Sequence, residues 1–188
     1  MDRKLKAFLP TRGFFVEVGA NDGFRQSNTY WLERFGGWRG LLVEPVPDLA
    51  RRCAAERPAS RVVNCALGAT DTPQEVTIHV GGLVSKVVDA GQQRNQPDED
   101  FGEPFTRTGW VTVPLRTLSS LLDEMGSPEV DFFSLDVEGY EPQVLAGLEP
   151  RHRPRFLLLE CNTPLEPDGF EPVAHLSHRD ILFRRRDG

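Results

Sequence analysis

The sequence predicts an α/β fold built on a mostly parallel sheet. Three observations carry this. Short apolar runs alternate with amphipathic segments along the chain, the rhythm of strands joined by right-handed helical crossovers. Several of these runs end in a polar or acidic residue. The first of them runs into a turn bounded by two glycines, Gly19 and Gly23. A chain of 188 residues fits one domain spanning 1–188 with a single sizeable core, and no internal repeat or linker divides it.

Phe14 to Val18 is the first strand, closed by the Gly19–Gly23 turn. Ser27 or Asn28 caps a helix whose apolar side is Tyr30, Trp31, Leu32 and Phe35, ended by Gly36-Gly37. Gly40 to Val43 is a second buried strand, closed by Glu44-Pro45. Asp48 opens a helix to about Arg57, and Arg61 to Asn64 is the third strand. Val76 to Val80 alternates by twos and pairs with Trp110 to Val113. Gly81 to Gly109 between them is polar and too long for an ordinary connection, as functional loops often are. Leu115 to Met125 reads as an amphipathic helix and Val130 to Leu135 as the next parallel strand. Tyr140 to Leu148 is helical, with Pro142 in its first turn. Arg155 to Glu160 is another parallel strand, and Pro172 to Leu176 with Ile181 to Arg184 form a closing pair.

Composition excludes several classes. Hydrophobic residues make up 39%, which suits neither a disordered nor a membrane protein. No apolar run approaches the roughly 20 residues a membrane span needs, and Met1 to Pro10 lacks the apolar stretch of a signal peptide. The expected location is the cytoplasm. A net charge of −6 argues against nucleic acid as a partner. Cys53, Cys65 and Cys161 form no CxxC pair and are expected to be small buried apolar residues. Nothing gathers His152, His175 and His178 into a metal site.

In an open α/β sheet, ligands bind beyond the carboxyl ends of the strands, where strand order reverses. The predicted strands deliver Glu17 with the turn, then Glu44, Asn64, Asp136 with Glu138, and Glu160 with Asn162 to those ends. Buried carboxylates are costly unless paired, so their gathering marks a cleft, although each alone also suits a helix cap. The turn Glu17-x-Gly19-x-x-x-Gly23 differs from the dinucleotide fingerprint, because Ala20 and Asn21 crowd the approach a pyrophosphate needs. A ligand without phosphate fits better, and S-adenosylmethionine is one. Glu44 lies about 20 residues beyond the turn, where a carboxylate accepts ribose hydroxyls. That spacing serves any adenosine-type ligand.

The chain resembles the FkbM family of methyltransferases. The blocks that carry the resemblance are Phe15 to Gly23, Ser27-Asn28-Thr29, Leu42 to Pro45, Asn64 to Gly68, Val113 to Leu118 and Phe132 to Glu141. The resemblance implies a Rossmann-like class I methyltransferase fold: a seven-stranded, mostly parallel sheet with an antiparallel last strand and helices on both faces. It also implies S-adenosyl-L-methionine as cofactor, and methyl transfer to a hydroxyl of a sugar, glycan or other small-molecule natural product. Carried onto this chain, Glu17, Gly19, Ala20, Asn21 and Gly23 would line the methionine end, with Asn28 and Thr29 as weaker candidates. Glu44 would hold the ribose, Asn64, Cys65 and Ala66 would flank the adenine, and Asp136 would lie near the amino and methyl groups.

A hydroxyl acceptor must lose its proton, and Asp136 and Glu138 are the candidates to take or orient it. A less favoured version has Asp136, Glu138 and Glu160 holding Mg²⁺. Only about a dozen residues precede the first strand, so a lid over the site is expected from the Gly81–Gly109 segment, with Phe101 and Phe105, or from a second subunit of a homo-oligomer. The competing readings are an NAD(P)-dependent oxidoreductase, disfavoured by the missing glycine fingerprint and Tyr-x-x-x-Lys pair, and a non-catalytic cofactor-binding protein.

Overall fold

The computed structural model describes residues 2–70, 74–81, 84–88, 109–160 and 165–186. Cys161, Asn162, Phe101, Phe105 and most of the expected lid segment lie outside them. The elements are α1 (Asp2–Leu5), β1 (Phe14–Val18), α2 (Tyr30–Gly36), β2 (Arg39–Val43), α3 (Pro47–Glu56), β3 (Arg61–Val63), β4 (Ala66–Leu67), β5 (Gln74–Gly81), β6 (Val84–Val88), β7 (Gly109–Arg116), α4 (Leu118–Glu124), β8 (Phe132–Leu135), α5 (Glu141–Ala146), β9 (Phe156–Glu160), β10 (Phe170–His175) and β11 (Asp180–Arg185).

Seven strands form one sheet in the order β10-β11-β9-β8-β1-β2-β3. The pairs β8–β9, β8–β1, β1–β2 and β2–β3 are parallel, and β11 runs antiparallel to both β9 and β10. The apolar runs are continuous because both faces of this sheet are buried. Side chains alternate between two cores: Val16, Val18, Leu41, Val43, Phe133, Leu135, Leu157 and Leu159 pack on one face. Phe15, Leu42, Phe132 and Leu158 pack on the other. Leu118, Leu121 and Leu122 of α4 and Val144 of α5 cover the first face, while Leu5, Leu32 and Cys53 from α1, α2 and α3 cover the second. This is the α/β architecture with a mostly parallel, helix-covered sheet that the sequence predicts. No helix among the described residues is long and apolar enough to cross a membrane.

A second sheet has the order β4-β7-β5-β6. The expected pairing is present, with Val76 opposite Val113 and His79 opposite Trp110. Ala66, Ile78, Val113 and Leu115 form its small core.

Five local expectations are corrected. The predicted helix at Leu115 begins only at Leu118: Leu115 shares a buried strand face with Val113, and Thr117 caps α4 by accepting the Ser120 N–H at 3.1 Å. The residue flanking α2 is Thr29, which makes no side-chain cap bond; Ser27 still satisfies the start of the helix from two residues before Thr29, its Oγ accepting the N–H groups of Thr29 and Tyr30, and Asn28 does not. Phe35 is 68% exposed and does not belong to the buried side of α2. Pro47 rather than Asp48 opens α3, because proline tolerates the first helical position, where no N–H bond is lost. The Gly81–Gly109 segment, expected to be one long functional loop, contains β6, paired antiparallel with β5.

Candidate active site

The sheet order turns back at β1. The chain builds β2 and β3 on one side of it, then β8 and β9 on the other, so the crevice that such a reversal opens lies beyond the ends of β1 and β8. Val18 is in register with Leu135, so Gly19 and Asp136 leave the sheet side by side. They are in close contact: a Cβ on Gly19, whose φ is +83°, would stand 2.0 Å from the Asp136 carbonyl oxygen. Only glycine fits there.

A cleft partly open to solvent occupies this position. Its apolar lining includes Val43, Leu49, Cys65, Ala66, Leu67 and Ile78, and its polar lining includes Asn21, Arg25, Gln26, Glu44, Asp136, Glu138 and Tyr140, with Val18, Gly19, Pro45, Val137 and Val144 completing it.

Glu44 is 4% exposed. Its carboxylate accepts the N–H of Asn21 at 2.8 Å and of Val46 at 2.9 Å, and among the cleft's described contacts no cation neutralises it. Burial pushes its carboxyl up to about 7, against the downward pull of those two N–H groups. Asn21 takes the left-handed conformation, φ +51°, that presents its N–H to Glu44. Asn64 donates from Nδ2 to the Glu44 and Pro45 carbonyls at 2.8 Å, which fixes the strand end without lining the cleft.

Asp136 is also pushed up to about 7. Burial is the main cause; the Glu160 and Glu138 carboxylates add repulsion, and a hydrogen bond with Glu160 favours the protonated form further. Glu160 ends β9 beside Asp136, with Arg179 Nη1 at 3.9 Å from its Oε1. Glu138 has φ +52° in the loop that follows, and buried Glu141 shapes that loop by accepting the N–H of Gly139 at 3.0 Å. Among the described residues no three His, Cys, Asp or Glu side chains are gathered so as to hold a metal ion.

The cleft therefore brings together Gly19, Asn21, Glu44, Cys65, Ala66, Asp136 and Glu138. Glu17, Ala20, Gly23, Asn28, Thr29 and Asn64 stand outside its lining. Strand alternation explains Glu17: it shares a sheet face with Phe15, while Val18 turns to the cleft. Gly23 serves packing, since a Cβ there would lie 2.9 Å from Arg57 Cγ and 3.0 Å from Cys53 Sγ. Sequence reasoning missed Arg25, Gln26, Leu49, Ile78 and Tyr140. Ile78 sits on the buried face of a strand already read as alternating; the others lie in turns and helices with no periodic signal.

Fold and cleft define an α/β protein with a carboxylate-bearing crevice at the switch point of a mostly parallel sheet. The family model for the methyltransferase FkbM domain matches residues 17–187. The chain belongs to the FkbM methyltransferase family. A methyltransferase of Sordaria araneosa, sdnD, is 27% identical over 199 residues, covering 94% of this chain and 76% of that protein. No solved structure matches the chain.

Proposed function

We propose that this protein is an S-adenosylmethionine-dependent methyltransferase of the class I type, acting on a hydroxyl oxygen of a small-molecule or glycan acceptor. The observation that carries the cofactor assignment is the charge pattern of the cleft. Glu44, Asp136 and Glu138 line it with Arg25, together with apolar side chains. S-Adenosylmethionine offers a sulfonium and an ammonium for carboxylates, a carboxylate for a guanidinium, ribose hydroxyls for Glu44 and an adenine for the apolar lining that includes Leu49, Cys65 and Ile78. Arg25 is a cofactor partner that the resemblance did not supply.

A dinucleotide fits poorly. Its pyrophosphate needs free backbone N–H groups where the first crossover helix begins. Here the N–H of Asn28 is bound by Glu17 at 2.7 Å, and those of Thr29 and Tyr30 by Ser27 Oγ at 3.2 and 3.0 Å.

The bound cofactor would supply an electrophilic methyl group. The chain's own part is to hold an acceptor hydroxyl in line with it and to receive the hydroxyl proton. Asp136 is the group for that proton: a carboxyl poised near 7 is a far better base than an ordinary aspartate and is still substantially ionised at neutral pH. Glu138 and Tyr140, which line the same cleft, would orient the acceptor. Transfer to oxygen rests on this base and on the family resemblance.

Calorimetric titration with S-adenosylhomocysteine, with NADH and NADPH in parallel, tests the reading. Binding of S-adenosylhomocysteine alone, abolished by Glu44→Ala, is the expected result. Binding of a dinucleotide in its place would overturn it.

A further inference from the structure

Beneath the cleft, on the opposite face of the sheet, lies a second buried cluster of charge. Arg57, at the end of α3, is 1% exposed. Its Nε donates to Glu33 Oε2 at 3.0 Å, its Nη2 to Thr29 Oγ1 at 2.9 Å, and its Nη1 to the Gly23 carbonyl at 3.1 Å and Ser27 Oγ at 3.2 Å, with Glu17 Oε2 at 3.5 Å. Glu17 accepts in addition from Ser27 Oγ at 2.8 Å, the Asn28 N–H at 2.7 Å and Thr29 Oγ1 at 2.7 Å. A carboxylate offers about four lone-pair positions, and these partners fill them. Glu17 has nothing left for a cofactor ammonium.

We infer that Arg57 and Glu17 are positioning residues for the cofactor site: they set the course of the segment from Gly23 to Thr29 and thereby the place of Arg25 and Gln26 in the cleft wall. This deepens the proposed function and rests on it. Local ties also shape it, Asp22 Oδ1 accepting the N–H groups of Phe24 and Arg25 at 3.1 and 2.8 Å and Asn28 Nδ2 donating to Ser134 Oγ at 3.0 Å, but none of these spans the segment from end to end. Gln26 has φ +57°, Phe24 is 59% exposed, and the first helical turn of α2 begins only at Tyr30. Both its ends are fixed by the same guanidinium, which reaches the Gly23 carbonyl at one and Thr29 Oγ1 at the other. Arg57 is uniquely suited because a planar fork meets several acceptors at fixed angles, which a lysine cannot reproduce. Gly23 completes the device, its missing Cβ letting α3 come close enough for Arg57 to reach the turn.

The test compares Glu17→Gln and Arg57→Lys with the wild type, using Leu182→Ala as a core variant destabilised elsewhere in the fold. The dissociation constant for S-adenosylhomocysteine is measured by calorimetry, and amide hydrogen exchange at Asn28, Thr29 and Tyr30 by mass spectrometry or NMR. Both polar variants are expected to weaken binding by about tenfold or more, as sub-ångström misplacement of a binding wall does. The three amides should exchange faster, with the kinetic loss falling on KM for the cofactor more than on kcat. Leu182→Ala should lower Tm and leave the dissociation constant within about twofold. Polar variants that lose Tm while keeping wild-type affinity and amide protection would overturn the inference. Should wild type fail to bind S-adenosylhomocysteine, the functional reading falls, and the exchange measurement still decides whether Glu17 and Arg57 order the segment. Ser27→Ala, which removes one partner and leaves the Arg57–Glu33 pair, gives a milder version if the other variants do not fold.

Discussion

Glu17 and Glu44 lie near the carboxyl ends of adjacent strands, are each 4% exposed, and look alike in the sequence. Their surroundings differ in kind. Glu17 meets a guanidinium, two hydroxyls and a backbone N–H. Glu44 meets two N–H groups and is pushed up to about 7 by burial. Asp136, half-buried just past the end of β8, is likewise pushed up by burial, with further carboxylates beside it. The comparison teaches that a buried carboxylate's role is read by counting its partners. One whose acceptor positions are all occupied holds structure. One buried without a cation is held ready for a ligand that brings one.

The largest effect that separates these two regions is expected at Asp136. Asp136→Asn removes the proton acceptor while keeping the shape, and kcat should fall about 10²- to 10⁴-fold. Tm should stay near wild type or rise, since a half-buried group with like-charged neighbours is neutralised. Steady-state kinetics on any accepted hydroxyl substrate checks it; turnover within about twofold of wild type would return Asp136 to the role of cofactor contact.

Arg57→Met should do the opposite. It leaves Glu17 and Glu33 buried without their cation, a loss of about 3–5 kcal/mol in stability, read from urea unfolding. Destabilisation below about 1 kcal/mol would mean that the cluster is not the strut its geometry describes.

How much of this was legible in the sequence follows from the same contrast. The main strands were readable because burial on both faces leaves apolar runs such as Phe156 to Leu159 unbroken. Gly19, Glu44 and Asp136 were readable as strand-end residues, since fold geometry alone brings those ends together. The Arg57 cluster was not, because its members come from a strand, a loop, α2 and α3, and nothing in local spacing links residues 17, 33 and 57. The placement of Glu17 away from the cleft was within reach: alternation from Val18 puts it on the opposite face. Leu115 misled for the converse reason, its helix-like spacing to Leu118 and Leu122 masking a strand partner in β4.

The pH dependence should be smaller than either substitution and equally diagnostic. With native carboxyls near 7 against ordinary values of 4.5 and 3.8, Glu44 and Asp136 keep their protons between about pH 4 and 7, where the unfolded chain has lost them. The stability they contribute is thus present at low pH and lost as pH rises through about 7. Cofactor affinity should run the other way, because a cationic ligand and ribose hydroxyls favour ionised carboxylates. The dissociation constant for S-adenosylmethionine should rise below pH 7, by at most about tenfold per pH unit for each carboxylate. Glu44→Gln should flatten part of that slope, whereas Glu17→Gln should leave its shape unchanged. Equal slopes in wild type and Glu44→Gln would remove Glu44 from the titration.

The smallest effect tests whether the two regions are joined. Asn28 follows Ser27 in the strut segment, and its Nδ2 donates to Ser134 Oγ at 3.0 Å on β8, two residues before Asp136. Ser134 is in register with Glu17 across the β1–β8 pair, so this bond ties the segment to the strand that delivers the base. Ser134→Ala removes it at a cost of about 1 kcal/mol in stability. If the strut places the cleft wall through this tie, Ser134→Ala and Glu17→Gln act on the same segment. Their losses in cofactor affinity will then not add, and the double variant will bind about as weakly as Glu17→Gln alone. Full additivity would show that Asn28 and Ser134 hold only each other, and that the strut reaches the cleft through Arg25 and Gln26 without help from β8.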